Sequence, residues 1–186
     1  MAIILASASP RRRELLKFIT EDFTVRVSDV EEITDPSLSP EETVKELARI
    51  KGEAVANAFP CDTVISSDTV VVLDGKILGK PHSREEAFSM LSSLSGRSHT
   101  VYTGVCITCK DKVICFAEAT TVNFAKLSDE EINAYIDSGE PFDKAGAYGI
   151  QGKGSIMISS INGDYYNVMG LPVARLYSVL KENSLI

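Results

Sequence analysis

Histidine is scarce in this chain and tryptophan is absent. His82 and His99 are the two histidines among 186 residues, and neither stands in a pattern typical of a metal site or a catalytic triad. A hydrolase built on Ser, His and Asp is therefore disfavoured. No apolar run approaches the roughly 20 residues that cross a membrane, and no basic run is longer than the three arginines at 11–13.

Positive charge is also in deficit. Lys and Arg number 19 against 26 Asp and Glu, which gives a net charge of −7. A surface of this sign repels nucleic acid and anionic lipid, so we expect neither as a partner. The first residues lack the basic and apolar regions of a secretory signal, and we expect a cytoplasmic protein with reduced thiols.

The four cysteines do not predict a metal centre. Cys106 and Cys109 resemble half of a metal or redox motif, but no second pair has a suitable spacing. They fall in a predicted strand, where positions three apart point to opposite faces. We interpret this pair as structural.

The length fits a single domain over residues 1–186, with one or two lobes. Strand and helix signals alternate, which favours a mixed α/β fold. The predicted strands cover residues 3–6, 23–27, 63–66, 70–73, 76–78, 100–109, 113–124 and 155–161. Helices are predicted to begin after the capping residues Ser9, Ser39, Ser83 and Ser128, and near Pro172.

Two charged residues interrupt apolar segments. Lys51 lies at the centre of an apolar stripe on the second predicted helix, four residues from Leu47 and from Val55. Its ammonium group either extends to solvent along its apolar neighbours or points inward at an anion. Asp68 interrupts the apolar region 63–73. An unpaired buried carboxylate is costly, so Asp68 is either a bulge or turn residue bonded to backbone donors, or a metal ligand or general base.

Two further segments have the composition of ligand-binding sites. The first turn and helix combine the hydroxyls of Ser7 and Ser9 with the guanidinium groups of Arg11 and Arg12, beside the free N–H groups of a helix start. This segment lacks the glycines of a P-loop, and its arginines form either a phosphate site or a solvated face. The loop 138–152 contains four glycines. Loops of this length are usually functional, with a plain surface connection as the alternative.

Taken in order, these segments resemble the Maf family of nucleotide pyrophosphatases, which belongs with the inosine-triphosphatase-like fold. The matching strings span nearly the whole chain and are LASASPRRRELL, ELARIKGEAV, DTVVVLDGKILGKP, SGRSHTVYTGV, SGEPFDKAGAYGIQGKG and INGDYYNVMGLP. The resemblance implies an α/β fold with an elongated, twisted mixed sheet, flanking helices and two lobes around a cleft.

The resemblance also implies an activity, which is hydrolysis of a nucleoside triphosphate to the monophosphate and pyrophosphate with a divalent metal ion. Asp68 matches the family's catalytic aspartate, and Glu32 matches an acidic residue after the second strand. The substrate-binding residues that it implies are Ser7, Arg11, Arg12, Lys51, Thr69, Lys80 and Gln151. Glu32 and Asp68 are the expected metal ligands, and either of them can be the ligand while the other is the base. Oxygen ligands favour magnesium or manganese over zinc.

The string DKAGAYGIQG resembles the branch of the family that hydrolyses dTTP and UTP and cleanses the nucleotide pool. Its specificity positions fall on Arg11, Thr69 and Gln151. One departure is Ser67, where many relatives have alanine. Two alternatives stay open: a sister branch that prefers 7-methyl-GTP, and a regulator of cell division that binds a nucleotide without hydrolysing it. Asp68 argues against the regulator, because an added negative charge does not help a protein that only binds phosphates. The expected partner is the nucleotide, and a homodimer is left open.

Overall fold

The computed structural model describes residues 2–110 and 112–186 and folds them into a mixed sheet with flanking helices. The strands are β1 (Ile3–Leu5), β2 (Phe23–Val25), β3 (Thr63–Leu73), β4 (Lys76–Leu78), β5 (Ser98–Cys109), β6 (Lys112–Phe124) and β7 (Ile158–Asn162). The helices are α1 (Pro10–Leu16), α2 (Pro40–Ala56), α3 (Arg84–Leu94), α4 (Asp129–Asp137), α5 (Tyr165–Met169) and α6 (Val173–Glu182).

Both parallel and antiparallel pairs occur in the sheet. Neighbouring strands follow the order β2-β1-β3-β5-β6-β7, and β4 pairs with β3. Strand β1 is parallel to β2 and β3, whereas β4 is antiparallel to β3 and β7 to β6. The predicted mixed α/β class is therefore confirmed.

The chain divides into two compact units. The first contains the chain up to Thr69 together with Thr103–Glu118 and Gly170–Ile186, and the second contains Val70–Tyr102 and Ala119–Met169. Each unit has buried apolar side chains that pack on one another.

The helices begin where their capping signals predict. Ser9 caps α1 by accepting a hydrogen bond from a backbone N–H, and Pro10 occupies the first helical position. Ser39 and Glu42 form a complete capping box on α2, and Ser128 starts a second capping box on α4. Each side-chain cap satisfies a backbone donor that the first turn leaves without an intrahelical partner.

In the first unit, two glycines let α2 lie directly on the sheet. A Cβ atom added to Gly52 would lie 2.5 Å from the Ser66 hydroxyl on β3. One added to Gly104 on β5 would lie 2.2 Å from the backbone oxygen of Val44. A side chain at Gly104 would push the backbone of α2 outward, and one at Gly52 would displace the Ser66 hydroxyl or the helix. Lys51 directly precedes Gly52, so this close packing fixes its height above β3.

In the second unit, Asp74 and Gly75 form the turn between β3 and β4. Both residues have positive φ, 51° and 77°, as a two-residue hairpin turn requires. The core of this unit includes a ring cluster of His99, Phe124 and Tyr148, whose centroids lie 4.8–5.3 Å apart in edge-to-face pairs.

Two predictions of secondary structure are wrong, and one helix was not predicted. The strands predicted at 63–66 and 70–73 are one continuous strand, β3, because hydroxyl hydrogen bonds satisfy the polar residues in between. The strand predicted to start at residue 155 starts at Ile158, since Gly152–Met157 form a 3-10 helix. The short helix α5 was not predicted.

The expectation of reduced thiols is wrong for one pair. The structure joins Cys106 and Cys115 by a disulfide between β5 and β6, with their Cα atoms 4.1 Å apart. Within the described residues, Cys61 and Cys109 are free thiols. Cys106 and Cys109 are thus not bonded to each other, and Cys106 has a structural cross-strand partner. No helix in residues 2–110 and 112–186 combines the length and apolar character of a membrane span.

Candidate active site

Asp68 lies in the middle of β3, and its side chain is 14% exposed. Its two preceding neighbours are hydrogen-bonded to other segments of the first unit. The Ser66 hydroxyl donates to the carbonyl of Ala48 at 2.6 Å, and the Ser67 hydroxyl donates to the carbonyl of Gly170 at 2.8 Å. Asp68 is therefore an extended strand residue rather than a turn residue.

Lys51 reaches Asp68 from α2. Its Nζ lies 2.6 Å from Asp68 Oδ1 and 2.9 Å from Glu32 Oε2, and its side chain is 18% exposed. The ammonium group thus does not extend to solvent as a snorkelling lysine would. It points inward, and the anions that it meets are carboxylates of the same chain. The structure brings together both predicted carboxylates around one cation.

Arg12 on α1 binds three separate segments of the first unit. Its Nε donates to the carbonyl of Gly170 at 2.8 Å, Nη1 to the Ser7 hydroxyl at 3.3 Å and Nη2 to the Thr69 hydroxyl at 3.0 Å. Gly170 also accepts from Ser67, so one carbonyl ties α1 and β3 to the segment before α6. A guanidinium group has five donors, and two remain for an anion such as a phosphate.

The electrostatics of Arg12 connect it with the Lys51 cluster. Desolvation by burial lowers the pKa of Arg12, the negative charges of Asp68 and Glu32 raise it, and the neighbouring charge of Arg11 lowers it. Because an arginine titrates far above neutral pH, Arg12 remains a cation beside the two carboxylates.

Thr69 follows Asp68 in β3, and its hydroxyl is engaged within the protein. It accepts from Arg12 and lies 2.9 Å from the hydroxyl of Thr103, which is fully buried. Side chains of consecutive strand residues point to opposite faces. The structure therefore links Thr69 to Arg12 rather than to Asp68.

Ser7 and Arg11 are both close to Arg12. Ser7 is buried, and its oxygen accepts from Arg12 and from the backbone N–H of Ser9. Arg11 is half-buried on the first turn of α1, and its charge acts on Arg12. Three of the predicted phosphate residues thus lie together at the start of α1.

Lys80 and Gln151 belong to the second unit. Both are exposed. Lys80 directly follows Gly79, whose carbonyl accepts the backbone N–H of Gly146 at 2.9 Å. Gln151 lies within the glycine-rich segment, just before the 3-10 helix Gly152–Met157.

Sequence reasoning missed the roles of three residues in this arrangement. Gly170 supplies a carbonyl to Arg12 and Ser67, and it has φ of +110°, which few other residues adopt. Thr103 supports Thr69. Ser67 was noted only as a departure from relatives. The one signal for Gly170 in the sequence is the string NVMGLP, which the family shares.

Comparisons with known proteins agree with this architecture. Residues 2–183 match the family described as Maf-like protein. A protein of Bacillus cereus is 52% identical over 97% of this chain and 94% of its own length, and one of Bacillus anthracis has the same identity and coverage. Both relatives are named dTTP/UTP pyrophosphatase. The chain therefore belongs to the Maf family.

Solved structures of two Ham1 proteins have a related fold. The one from Coxiella burnetii has a TM-score of 0.56 at 16% identity and covers 97% of this chain and 98% of that chain. The one from Staphylococcus aureus has a TM-score of 0.50 at 23% identity and covers 66% and 71%. At these identities the likeness concerns the fold alone, and it confirms the fold class that the Maf resemblance implied.

Proposed function

We propose that this chain hydrolyses dTTP and UTP to the monophosphate and pyrophosphate. Removing these or modified pyrimidine nucleotides would cleanse the nucleotide pool. The observation that carries the proposal is the 52% identity, over 97% of the chain, to relatives named dTTP/UTP pyrophosphatase. Membership of the Maf family over residues 2–183 supports the same activity and supports treating residues 1–186 as one functional domain.

Asp68 is the proposed general base. Phosphoanhydride cleavage requires a positioned water, a group that accepts its proton, and cations at the phosphate oxygens. Asp68 is the less exposed of the two carboxylates on Lys51, at 14% against 49% for Glu32. A more enclosed carboxylate is better shielded from bulk solvent, so we assign the proton transfer to Asp68.

Lys51 and Arg12 are the proposed phosphate contacts of the first unit. An ammonium group has three donors. Lys51 donates one hydrogen bond to Asp68 and forms an ion pair with Glu32, so a donor remains for a phosphate oxygen. Arg12 contributes its remaining donors, and Ser7 holds it in place. We assign Arg11 and Lys80 to the phosphates as well, because each matches a basic position of the family.

The donor set fits a divalent metal ion, which the family membership indicates. Magnesium in proteins is often held by one or two carboxylates together with substrate phosphates. Glu32 and Asp68, whose oxygens meet at one cation, supply such carboxylates. We propose that they hold magnesium or manganese, which would neutralise phosphate charge and make the phosphorus more electrophilic.

Thr69 has a different proposed role from the one that the family resemblance implies. Its hydroxyl bonds Arg12 and lies beside Thr103. We therefore propose that Thr69 affects substrate selectivity through the position of the Arg12 guanidinium group.

We propose that Gln151 recognises the base of the nucleotide. Its amide has both a donor and an acceptor, which can pair with the carbonyl oxygen and N3–H of uracil or thymine. Cytosine reverses the pattern at its position 4, and a mismatched buried polar group costs about 1–3 kcal/mol. We expect a higher kcat/KM for dTTP and UTP than for CTP, ATP or GTP, and a smaller difference in Gln151→Ala. An equal fall in kcat/KM for all nucleotides would show that Gln151 only stabilises its loop.

Replacing Asp68 tests the catalytic assignment. Asp68→Asn keeps the shape of the side chain but removes the base, and we expect turnover to fall by about 10²–10⁴-fold or more. EDTA should abolish pyrophosphate release, and magnesium or manganese should restore it. Near wild-type turnover in a variant that melts normally would contradict the assignment.

The same assays separate the two alternatives. Preference for 7-methyl-GTP over dTTP and UTP would move the chain to the sister branch of the family. Nucleotide binding without pyrophosphate release would favour the regulator. We also propose a cytoplasmic location. The net charge of −7 supports a protein that binds neither nucleic acid nor anionic membrane. Light scattering would distinguish a monomer from a homodimer.

A further inference from the structure

The segment around Gln151 is bound at two backbone amides. We call residues 148–153 the glutamine loop. The N–H of Gly149 donates to the Tyr135 hydroxyl at 3.2 Å, and the N–H of Lys153 donates to Glu140 Oε1 at 3.2 Å. These amides lie two residues before and two residues after Gln151, so the loop is held on both sides of the residue that is proposed to read the base.

Burial holds Tyr135, and Lys144 holds the backbone at Glu140. Tyr135 is one of the buried residues of α4, at 5% exposure. Burial raises its pKa to about 12, with a further contribution from the charge of Glu140. Its hydroxyl therefore stays protonated. The backbone carbonyl of Glu140 accepts from Lys144 Nζ at 2.7 Å, which ties the turn after α4 together.

Close packing leaves the loop little freedom. A Cβ atom on Gly149 would lie 2.8 Å from Lys144 Cε, and one on Gly154 would lie 2.3 Å from the backbone oxygen of Gly149. At Gly152, with φ of +70°, a Cβ atom would lie 3.1 Å from both carboxylate oxygens of Glu140. The loop thus lies directly against Glu140 and Lys144, and its shape depends on them.

We propose that Tyr135 and Glu140 are positioning residues that hold the glutamine loop in the conformation in which Gln151 selects the base. This inference rests on the proposed role of Gln151. Because the N–H groups of Gly149 and Lys153 are already bonded, the loop offers the base the side chain of Gln151 rather than these neighbouring amides. Fixing the loop before binding avoids the entropy of ordering it around each substrate.

The test compares UTP with CTP in Tyr135→Phe and Glu140→Ala. Each substitution removes one acceptor, and we expect the UTP preference, as a ratio of kcat/KM values, to fall by about 3- to 10-fold, the effect of one hydrogen bond. The loss should appear in kcat/KM for UTP, with CTP nearly unchanged. Glu140→Gln keeps an acceptor for Lys153 and should retain the preference. Tyr177→Phe, at an exposed tyrosine of α6, is the matched control.

A double-mutant cycle with Gln151→Ala shows whether the two residues act through Gln151. If they do, Tyr135→Phe changes the UTP preference little once Gln151 is alanine. Equal losses for UTP and CTP, or additive effects in the cycle, would overturn the inference and leave Tyr135 with a structural role. If Gln151→Ala alone leaves the preference intact, the proposed role of Gln151 fails. Should Tyr135→Phe fail to fold, the ratio of kcat/KM for UTP to that for CTP is compared between Glu140→Ala and Glu140→Gln, and that comparison decides.

Discussion

Replacing Lys51 by methionine is the most informative perturbation of the cluster, because it keeps most of the apolar stem and removes the charge. Lys51 holds two carboxylates at 2.6 and 2.9 Å with its side chain 18% exposed. In the variant, Asp68 and Glu32 lose their ion pairs with Lys51, and Arg12 is the cation that stays near them. The proposed phosphate site then lacks the cation that lies between the two carboxylates.

The magnitude for stability follows from the exposure of each pair. Glu32 is 49% exposed, so solvent screens its pair with Lys51, which is worth about 0–1 kcal/mol. Asp68 is 14% exposed, and leaving a partly buried carboxylate unpaired costs more, about 1–3 kcal/mol. The two contributions together predict a loss of about 1–4 kcal/mol in the free energy of unfolding. Each kcal/mol lowers Tm by about 2–4 °C in a chain of this size.

The activity should change far more than the stability. A phosphate contact that acts in the transition state is typically worth about 10²–10³-fold, so we expect kcat/KM for UTP to fall by at least that factor. Lys45→Met is the matched control on the same helix, since Lys45 makes an exposed ion pair with Glu41 at 3.1 Å. It should change stability by less than about 1 kcal/mol and leave kcat/KM unchanged.

The assay is pyrophosphate release from UTP, with thermal unfolding of both variants measured in the same buffer. If Lys51→Met melts within a degree of wild type and keeps kcat/KM within about threefold, the reasoning is refuted and Lys51 is only a packed residue. Equal losses in Lys51→Met and Lys45→Met would likewise point to a general effect of charge on α2.

Two further predictions concern buried polar groups. Burial lowers the pKa of His99 to about 4, below the value of about 6.5 in an unfolded chain. As the pH falls, the unfolded state therefore binds the proton first. The stability present above pH 6.5 is lost as the pH falls towards 4. The free energy of unfolding, measured with urea, should decline by up to about 1.4 kcal/mol for each pH unit between these values. His99→Gln should weaken this pH dependence, and an unchanged dependence in the variant would contradict the assignment to His99. Ser67→Ala removes the hydrogen bond to Gly170 and should cost about 1 kcal/mol of stability, with kcat/KM within about threefold because Arg12 still binds that carbonyl; a loss above tenfold would give Ser67 a direct role in catalysis.

Local signals predicted the helix starts well because caps act within a few residues. Ser9, Ser39 and Ser128 each cap a helix where the sequence placed it. The same local rules failed at β3, because a carboxylate among serines predicts an interruption of the strand. What keeps β3 continuous is non-local: Ser67 bonds Gly170, which is 103 residues away.

The candidate site was partly predictable for the same reason. A lysine inside an apolar stripe and a carboxylate inside an apolar strand are both unfavourable alone, and that pattern singled out Lys51 and Asp68. The sequence could not show that Lys51 and Asp68 pair with each other at 2.6 Å, because they lie 17 residues apart. The pairing depends on Gly52 and Gly104, whose role as packing contacts has no local signature.

The disulfide was missed because it also depends on register. Cys106 has Cys109 nearer in sequence, but positions three apart on a strand point to opposite faces. Its partner Cys115 lies nine residues away on β6, and only the pairing of β5 with β6 brings the two Cα atoms to 4.1 Å.

The most direct test of the central claim is the identity of the products. UTP incubated with the purified chain and magnesium, followed by phosphorus NMR, should yield UMP and pyrophosphate in equal amounts, with Asp68→Asn as the background. That result means that the bond between the α and β phosphates is cleaved. UDP with inorganic phosphate, or bound UTP that is never turned over, would contradict the account.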